Sequence, residues 1–303
     1  MNSPIAPHPS PLTLSPETPM IRLAAAIALL AVPALVHAQA PDGVLKKIRD
    51  TKTITIAYRT DALPFSFADG KNVPAGYTVE LCKRVVASLE QQLKIQGLQI
   101  NWTPATSQNR LELVARKQAD MECGSTTATL SRMETVDFSS FVFVDSTGVL
   151  VRKDAGVTTF SDLAGKRVAV IAGTTNENAL NEALKKTLVS ATVLKVQNRD
   201  EGLAALEAGK VHGFASDKVL ILGLAGKVKD PTQYTMLAEN LSFEPYAIVL
   251  PRGDAAFRLA VNRALAQVYR SPAIGEAFGR WFGALGKPNE LLIAMYLMGA
   301  IPE

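Results

Sequence analysis

Two α/β lobes joined by a pair of crossing strands are the architecture the sequence predicts, on three observations. From residue 45 onward, short β-rich runs alternate with amphipathic helical stretches, the pattern of an α/β protein. The order strand, helix, strand, helix, strand occurs twice along the chain. Two extended apolar segments, one between the two series and one after the second, supply crossings from lobe to lobe.

In the first series, residues 54–58 read as a strand and 79–93 as a helix, because Leu81, Cys82, Val85, Val86, Leu89 and Leu93 recur at helical spacing. A strand over 98–102 follows, then a helix over 108–117 with Ser107 as its N-cap, then a strand over 120–123. The second series has a strand over 167–171, a helix over 177–188, a strand over 192–196, a helix over 201–208 ended by Gly209, and a strand over 211–215 running into Asp217. Each second helix passes through a basic residue, Lys117 or Lys210, to a short strand that delivers polar groups at its carboxyl end. The extended runs 138–153 and 244–250 are the crossings. Residues 254–269 and 275–283 are helical, with Leu259, Val261, Leu265 and Val268 at core spacing, and should pack back on the first lobe. The first lobe is therefore expected over 39–145 and 246–303, and the second over 146–245.

The N-terminus has another purpose. Residues 20–38 carry one basic residue (Arg22), an apolar run over 23–36, and Val36 and Ala38 in a small-residue cleavage site, which is a secretory signal peptide cut after Ala38. The Pro- and Ser-rich residues 1–19 precede it with no apolar periodicity, so Met20 is the expected start. Removing 38 of the 303 residues leaves 265, with the net charge still +4 because Glu17 and Arg22 leave together. His8 and His37 leave as well, so His212 is the one remaining imidazole, which disfavours a multi-His metal site or a His-assisted nucleophile. Both cysteines, Cys82 and Cys123, survive; export favours a disulfide between them, and two buried free thiols are the alternative. With no basic run, no basic-aromatic interleaving and an exported chain, the small positive balance does not point to nucleic acid. The apolar run 291–298 is too short to span a membrane and reads as core packing or a partner contact.

Ligands of parallel α/β sheets sit outside the carboxyl ends of the strands, so two facing lobes place a site in the cleft between them. No Gly-rich nucleotide loop, HExxH or CxxC is present, and no cofactor is expected. Several segments stand out together: Arg59 with Pro64-Phe65-Ser66-Phe67, Gly76-Tyr77, Ser107-Gln108-Asn109-Arg110, Glu122-Cys123-Gly124-Ser125-Thr126-Thr127 with Arg132, Gly173-Thr174-Thr175, Asp217, and Arg280-Trp281-Phe282. Taken together and in order, they make the chain resemble the glutamate/aspartate-binding proteins of bacterial ABC importers.

The resemblance implies a type II periplasmic binding fold, with a two-stranded hinge and an interlobe cleft that closes on one amino acid, L-glutamate or L-aspartate. It also implies a periplasmic location, delivery to a permease in the inner membrane, and action as a monomer. Each group of the ligand needs a partner, because a buried unpaired charge costs several kcal/mol. By the resemblance Arg132 grips the α-carboxylate as a planar bidentate donor, with Thr127 beside it and Thr174 and Thr175 offering donors to the same anion from a helix N-terminus. Asp217 accepts the ammonium, helped by Ser125. Arg59, Ser107 and Arg110 hold the distal carboxylate. Where the family commonly carries a His toward that carboxylate, this chain has Arg199, a donor that stays charged across neutral pH.

Blander roles stand beside these. A single arginine is more often a surface or structural ion pair than a ligand contact. Ser107 and Thr174 can be helix caps, and Phe65 and Tyr77 core aromatics. His212 reads as a half-buried residue of the strand before Asp217, and Glu122 as a structural partner of a basic side chain. If the protein were instead an enzyme on the same fold, such as a cyclohexadienyl dehydratase, Glu122 is the one candidate acid. A sensory domain would need a membrane-spanning segment after the second lobe, and none is read there.

Overall fold

The computed structural model describes residues 43–224 and 226–303, and the expected signal peptide and the segment before it lie outside them. Helix α1 (Gly43–Thr51) leads into β1 (Thr53–Arg59), followed by three short strands, β2 (Asp61–Ala62), β3 (Ser66–Ala68) and β4 (Pro74–Ala75). Then come α2 (Tyr77–Leu93), β5 (Gln99–Ala105), α3 (Arg110–Ala115), β6 (Met121–Cys123) and the long β7 (Val136–Asp145). The second lobe has β8 (Thr147–Arg152), β9 (Arg167–Ile171), α4 (Thr175–Thr187), β10 (Thr192–Val196), α5 (Arg199–Glu207), β11 (Gly213–Asp217), α6 (Lys218–Gly223) and β12 (Tyr234–Met236). The chain returns along β13 (Glu244–Pro251) and ends in α7 (Ala255–Tyr269), α8 (Ala273–Phe282) and α9 (Glu290–Gly299).

The two expected series fold into two sheets of the same plan. The first runs β5-β1-β6-β13-β7 and the second β10-β9-β11-β8-β12. In each, the first strand of the series lies between its two parallel partners, β1 between β5 and β6, and β9 between β10 and β11. The same α/β arithmetic therefore aims six parallel strand ends toward polar segments. Strands β7 and β13, antiparallel to each other, connect the lobes.

Helices α7 and α8 pack with the first sheet, as their apolar spacing implied: Val261, Leu265 and Val268 join the large core cluster with Phe257 and Phe278. Leu259 does not; it is 56 % exposed, because α7 buries its Val261 and Leu265 stripe and turns residue 259 outward. Phe65 and Tyr77 are core aromatics. Phe65 meets Phe143, Tyr246 and Phe282 at centroid separations of 4.8, 5.1 and 5.3 Å. Glu80 on α2 accepts from Arg280 and from the Trp281 indole N–H, at 2.8 and 2.9 Å, and so ties α8 to α2. In α9, Leu292 and Tyr296 are buried while Leu291, Ile293, Leu297 and Met298 remain exposed, so only one side of the apolar run is core.

Cys82 on α2 and Cys123 at the end of β6 form a disulfide. His212 sits just before β11, where its Nδ1 accepts the Arg167 backbone N–H at 3.2 Å. The helix expected over 108–117 is shorter and starts later, and Ser107 is not its cap. Asn109 Oδ1 accepts the Thr106 N–H and Thr106 Oγ1 accepts the Asn109 N–H, at 2.8 and 3.2 Å, a reciprocal turn that postpones the helix to Arg110.

Candidate functional site

Most of the polar residues singled out in the sequence lie at or just beyond the carboxyl ends of parallel strands. Arg59 ends β1, Ser107 follows β5, and Ser125 and Thr127 follow β6, while Arg132 opens the short turn before β7. From the second sheet, Thr174 and Thr175 follow β9, Arg199 follows β10, and Asp217 ends β11. Arg110 is the first residue of α3.

Three guanidinium groups are almost wholly removed from solvent: Arg59 is 1 % exposed, Arg110 4 % and Arg199 3 %. Burial, reinforced by their mutual repulsion, pulls Arg59 and Arg110 down to about 10, which leaves both charged at neutral pH. Arg59 Nη2 donates to Asp61 Oδ1 at 2.5 Å, and Arg199 Nη1 donates to Asp61 Oδ2 at 3.4 Å. Arg199 Nη2 lies 3.7 Å from Asp217 Oδ2. Arg110 Nη1 donates to the Ser125 carbonyl at 3.3 Å, and Arg132 Nη1 to the Thr127 carbonyl at 2.7 Å. Beyond these bonds, the Nε and Nη1 of Arg59, the Nε of Arg110 and Arg199, and the hydroxyls of Ser107 and Ser125 are buried with no protein partner among the described residues. Such a concentration of unpaired donors suits an anionic guest, since each uncompensated group costs roughly 1–3 kcal/mol.

Glu122 is fully buried in the same region. Its Oε2 accepts the Thr126 hydroxyl at 2.8 Å, and its partner is thus a hydroxyl, with the arginines acting only through the field. Burial pushes its carboxyl up, against the opposing pull of Arg110. Gly124 is required beside it, because a Cβ there would come 2.1 Å from Glu122 Oε1 and 2.8 Å from the Arg59 Cγ.

The threonines are already engaged. Thr174 caps α4, donating to the Ile171 carbonyl at 2.7 Å and accepting the Glu177 N–H at 3.3 Å. Thr127 and Thr175 both donate to Glu244 Oε2, at 2.5 and 2.7 Å, so a carboxylate at the start of β13 draws residues of both lobes together. Ser242 and Thr147 donate to its other oxygen, at 2.6 and 3.2 Å. The lobes also meet through Gln108, whose side-chain amide donates to the Gln197 carbonyl at 3.1 Å.

Sequence reasoning missed Asp61, Asp145 and Glu244, and gave no role to Gln108 although it quoted its segment. Of the three missed, only Asp61 had a usable signal, lying two residues after a strand-end arginine. Asp145 ends β7 and accepts backbone N–H groups of Ser146 and Val219, at 2.8 and 3.1 Å. Burial, and then the neighbouring Asp217 charge, push its carboxyl up to about 7.

Residues 54–284 match the model of the bacterial extracellular solute-binding proteins, family 3. The chain belongs to that family. It is 34 % identical over 264 residues to the L-glutamate/L-aspartate-binding protein of Pseudomonas aeruginosa, covering 87 % of each chain. It is 30 % identical to the glutamate/aspartate import solute-binding protein of Salmonella typhimurium, covering 82 % of this chain and 83 % of that one. Among solved structures, the solute receptor for L-cysteine of Neisseria gonorrhoeae superposes with a TM-score of 0.71 at 22 % identity, covering 80 % of this chain and 97 % of that one. The ancestral amino acid-binding protein AncCDT-1, a precursor of cyclohexadienyl dehydratase, does so at 0.68 and 23 %, covering 79 % and 100 %. At those identities the structures establish the fold, the two-lobed type II periplasmic binding architecture, and leave the ligand to the chemistry of the cleft.

Proposed function

We propose that this family member captures an acidic L-amino acid, glutamate or aspartate, between its lobes in the periplasm and hands it as a monomer to the inner-membrane permease of an ABC importer. The observation that carries the reading is the convergence of Arg59, Arg110 and Arg199, all buried and all with unpaired N–H groups, on the side of the cleft that also holds Asp217. The names of the relatives at 30–34 % identity agree with it. Arg59, Arg110, Arg199 and Ser107 take the distal carboxylate. Asp217 takes the ammonium with Ser125, and Arg132 takes the α-carboxylate. Thr127 and Thr175 stand beside Arg132 with their hydroxyl protons committed to Glu244, so their backbone N–H groups are the donors left for the ligand; Thr174 contributes in the same way. A leader cut after Ala38, and lobes over 39–145 with 246–303 and over 146–245, complete the reading.

Arginines that match ligand charges bind without reacting, and Glu122, the acid that an enzyme reading of the sequence would use, is held by Thr126 beside Gly124. We therefore read the protein as a carrier and not a catalyst.

Thermal unfolding of the ligand-stripped mature protein with single amino acids tests this. Ligand at about 1,000 times its Kd should stabilise by roughly 4 kcal/mol. The expected result is a shift with glutamate or aspartate that Arg132→Ala abolishes for every amino acid and Arg110→Ala reduces most for the dicarboxylates. No shift with either acid, alongside a shift with glutamine or a basic amino acid, would overturn the pocket assignment.

A further inference from the structure

Asp61 is the unexpected member of the arginine cluster. It comes from β2 of the first lobe, and its two oxygens engage guanidinium groups of different lobes, Arg59 at 2.5 Å and Arg199 at 3.4 Å. Burial alone would push its carboxyl up, but the two arginines outweigh burial and hold it below the usual carboxylate range, so it is ionised at neutral pH. The distal end of the cleft thus contains three cations, Arg59, Arg110 and Arg199, and a carboxylate that already answers two of them. The edges it leaves over are the unpaired Nε and Nη1 of Arg59 and the Nε of Arg199. A ligand carboxylate arriving there shares its guanidinium partners with a like charge, which weakens the gain from a charged side chain relative to a neutral one.

We propose that Asp61 is a specificity-determining residue, an internal counter-charge that lowers the preference of the distal pocket for an acidic side chain over its amide. Without Asp61 the carboxylates left to these guanidiniums are Asp217, 3.7 Å from Arg199, and the buried Glu122, so the excess positive charge that rejects glutamine, whose amide cannot compensate it, would be larger. With Asp61 in place, part of that compensation is supplied by the protein, and the cleft admits amides more readily than its arginine content suggests. The inference rests on the proposed placement of the ligand side chain against Arg59, Arg110 and Arg199.

The test is calorimetric titration of ligand-stripped wild type and Asp61→Asn with L-glutamate, L-aspartate, L-glutamine and L-asparagine. Asparagine keeps the size of the side chain and an oxygen for the Arg59 hydrogen bond, so the change removes charge while retaining position. The ratio of glutamine to glutamate Kd is expected to rise about tenfold or more in Asp61→Asn, with the aspartate and asparagine pair moving the same way. A purely structural role would weaken all four ligands together and leave the ratios alone, and that outcome, or a fall in the ratio, overturns the inference. The functional reading fails separately, when wild type binds glutamine no more weakly than glutamate; a rise of the ratio in the variant would then still uphold Asp61. If wild type binds none of the four, both fall.

Discussion

Asp145 and Asp217 place two carboxyl groups together behind the proposed ammonium subsite, and the cost of that arrangement is readable as a pH dependence. Asp145 faces Asp217, the Tyr246 hydroxyl, whose oxygen is 3.4 Å away, and the N–H groups of Ser146 and Val219. With its carboxyl pushed up to about 7, the folded state binds a proton that the unfolded chain releases from about pH 4 upward. Stability from this group is therefore intact below pH 4 and lost as pH rises toward 7, by roughly 4 kcal/mol at most. Asp145→Asn is expected to be more stable than wild type in urea unfolding at pH 8, with the difference vanishing near pH 4; parallel pH profiles would contradict the assignment. None of this was visible in the sequence. Arg59 and Asp217 could be placed because they end strands whose carboxyl ends must face a cleft. The depth of Asp61, Asp145 and Glu244 depends on which other segments cover them, and no local pattern records it.

At the level of elements, strands 167–171 and 192–196 agree with β9 and β10 residue for residue, since β-branched runs bounded by turn residues have one reading. Strands β2, β3 and β4 went unread because pieces of two or three residues have no period to detect. The start of α3 moved because Thr106 and Asn109 compete with Ser107 for the turn before it. The α2–β6 pairing was readable from Cys82 on the core face of its helix, and the disulfide there closes a loop of 41 residues. By loop-closure entropy it stabilises the fold by about 4 kcal/mol. Cys82→Ala with Cys123→Ala should lower the urea midpoint accordingly, whereas a loss within about 0.5 kcal/mol would show that the α2–β6 packing is sufficient without the link.

For the whole molecule, the repeated series explains why two similar sheets face one another, and the fit between them depends on close backbone approach. Gly223, the last residue of α6, has the space of its missing Cβ taken by the first lobe: that atom would lie 2.2 Å from the Leu63 carbonyl oxygen and 3.4 Å from Pro64 Cδ. Gly223→Ala should leave each lobe folded while obstructing their closure. Affinity is expected to fall about tenfold or more, and small-angle scattering should lose the compaction that ligand produces in wild type. Unchanged affinity and compaction would mean that the contact yields at little cost.

The central claim, a cleft that pairs each charge of an acidic amino acid, is tested most directly by a crystal structure of the protein with L-glutamate. The account expects the distal carboxylate within hydrogen-bond distance of Arg59, Arg110 or Arg199, the ammonium on Asp217 and the α-carboxylate on Arg132. A glutamate bound in the reverse orientation, with its ammonium remote from Asp217, or bound away from the three buried guanidiniums, would contradict it.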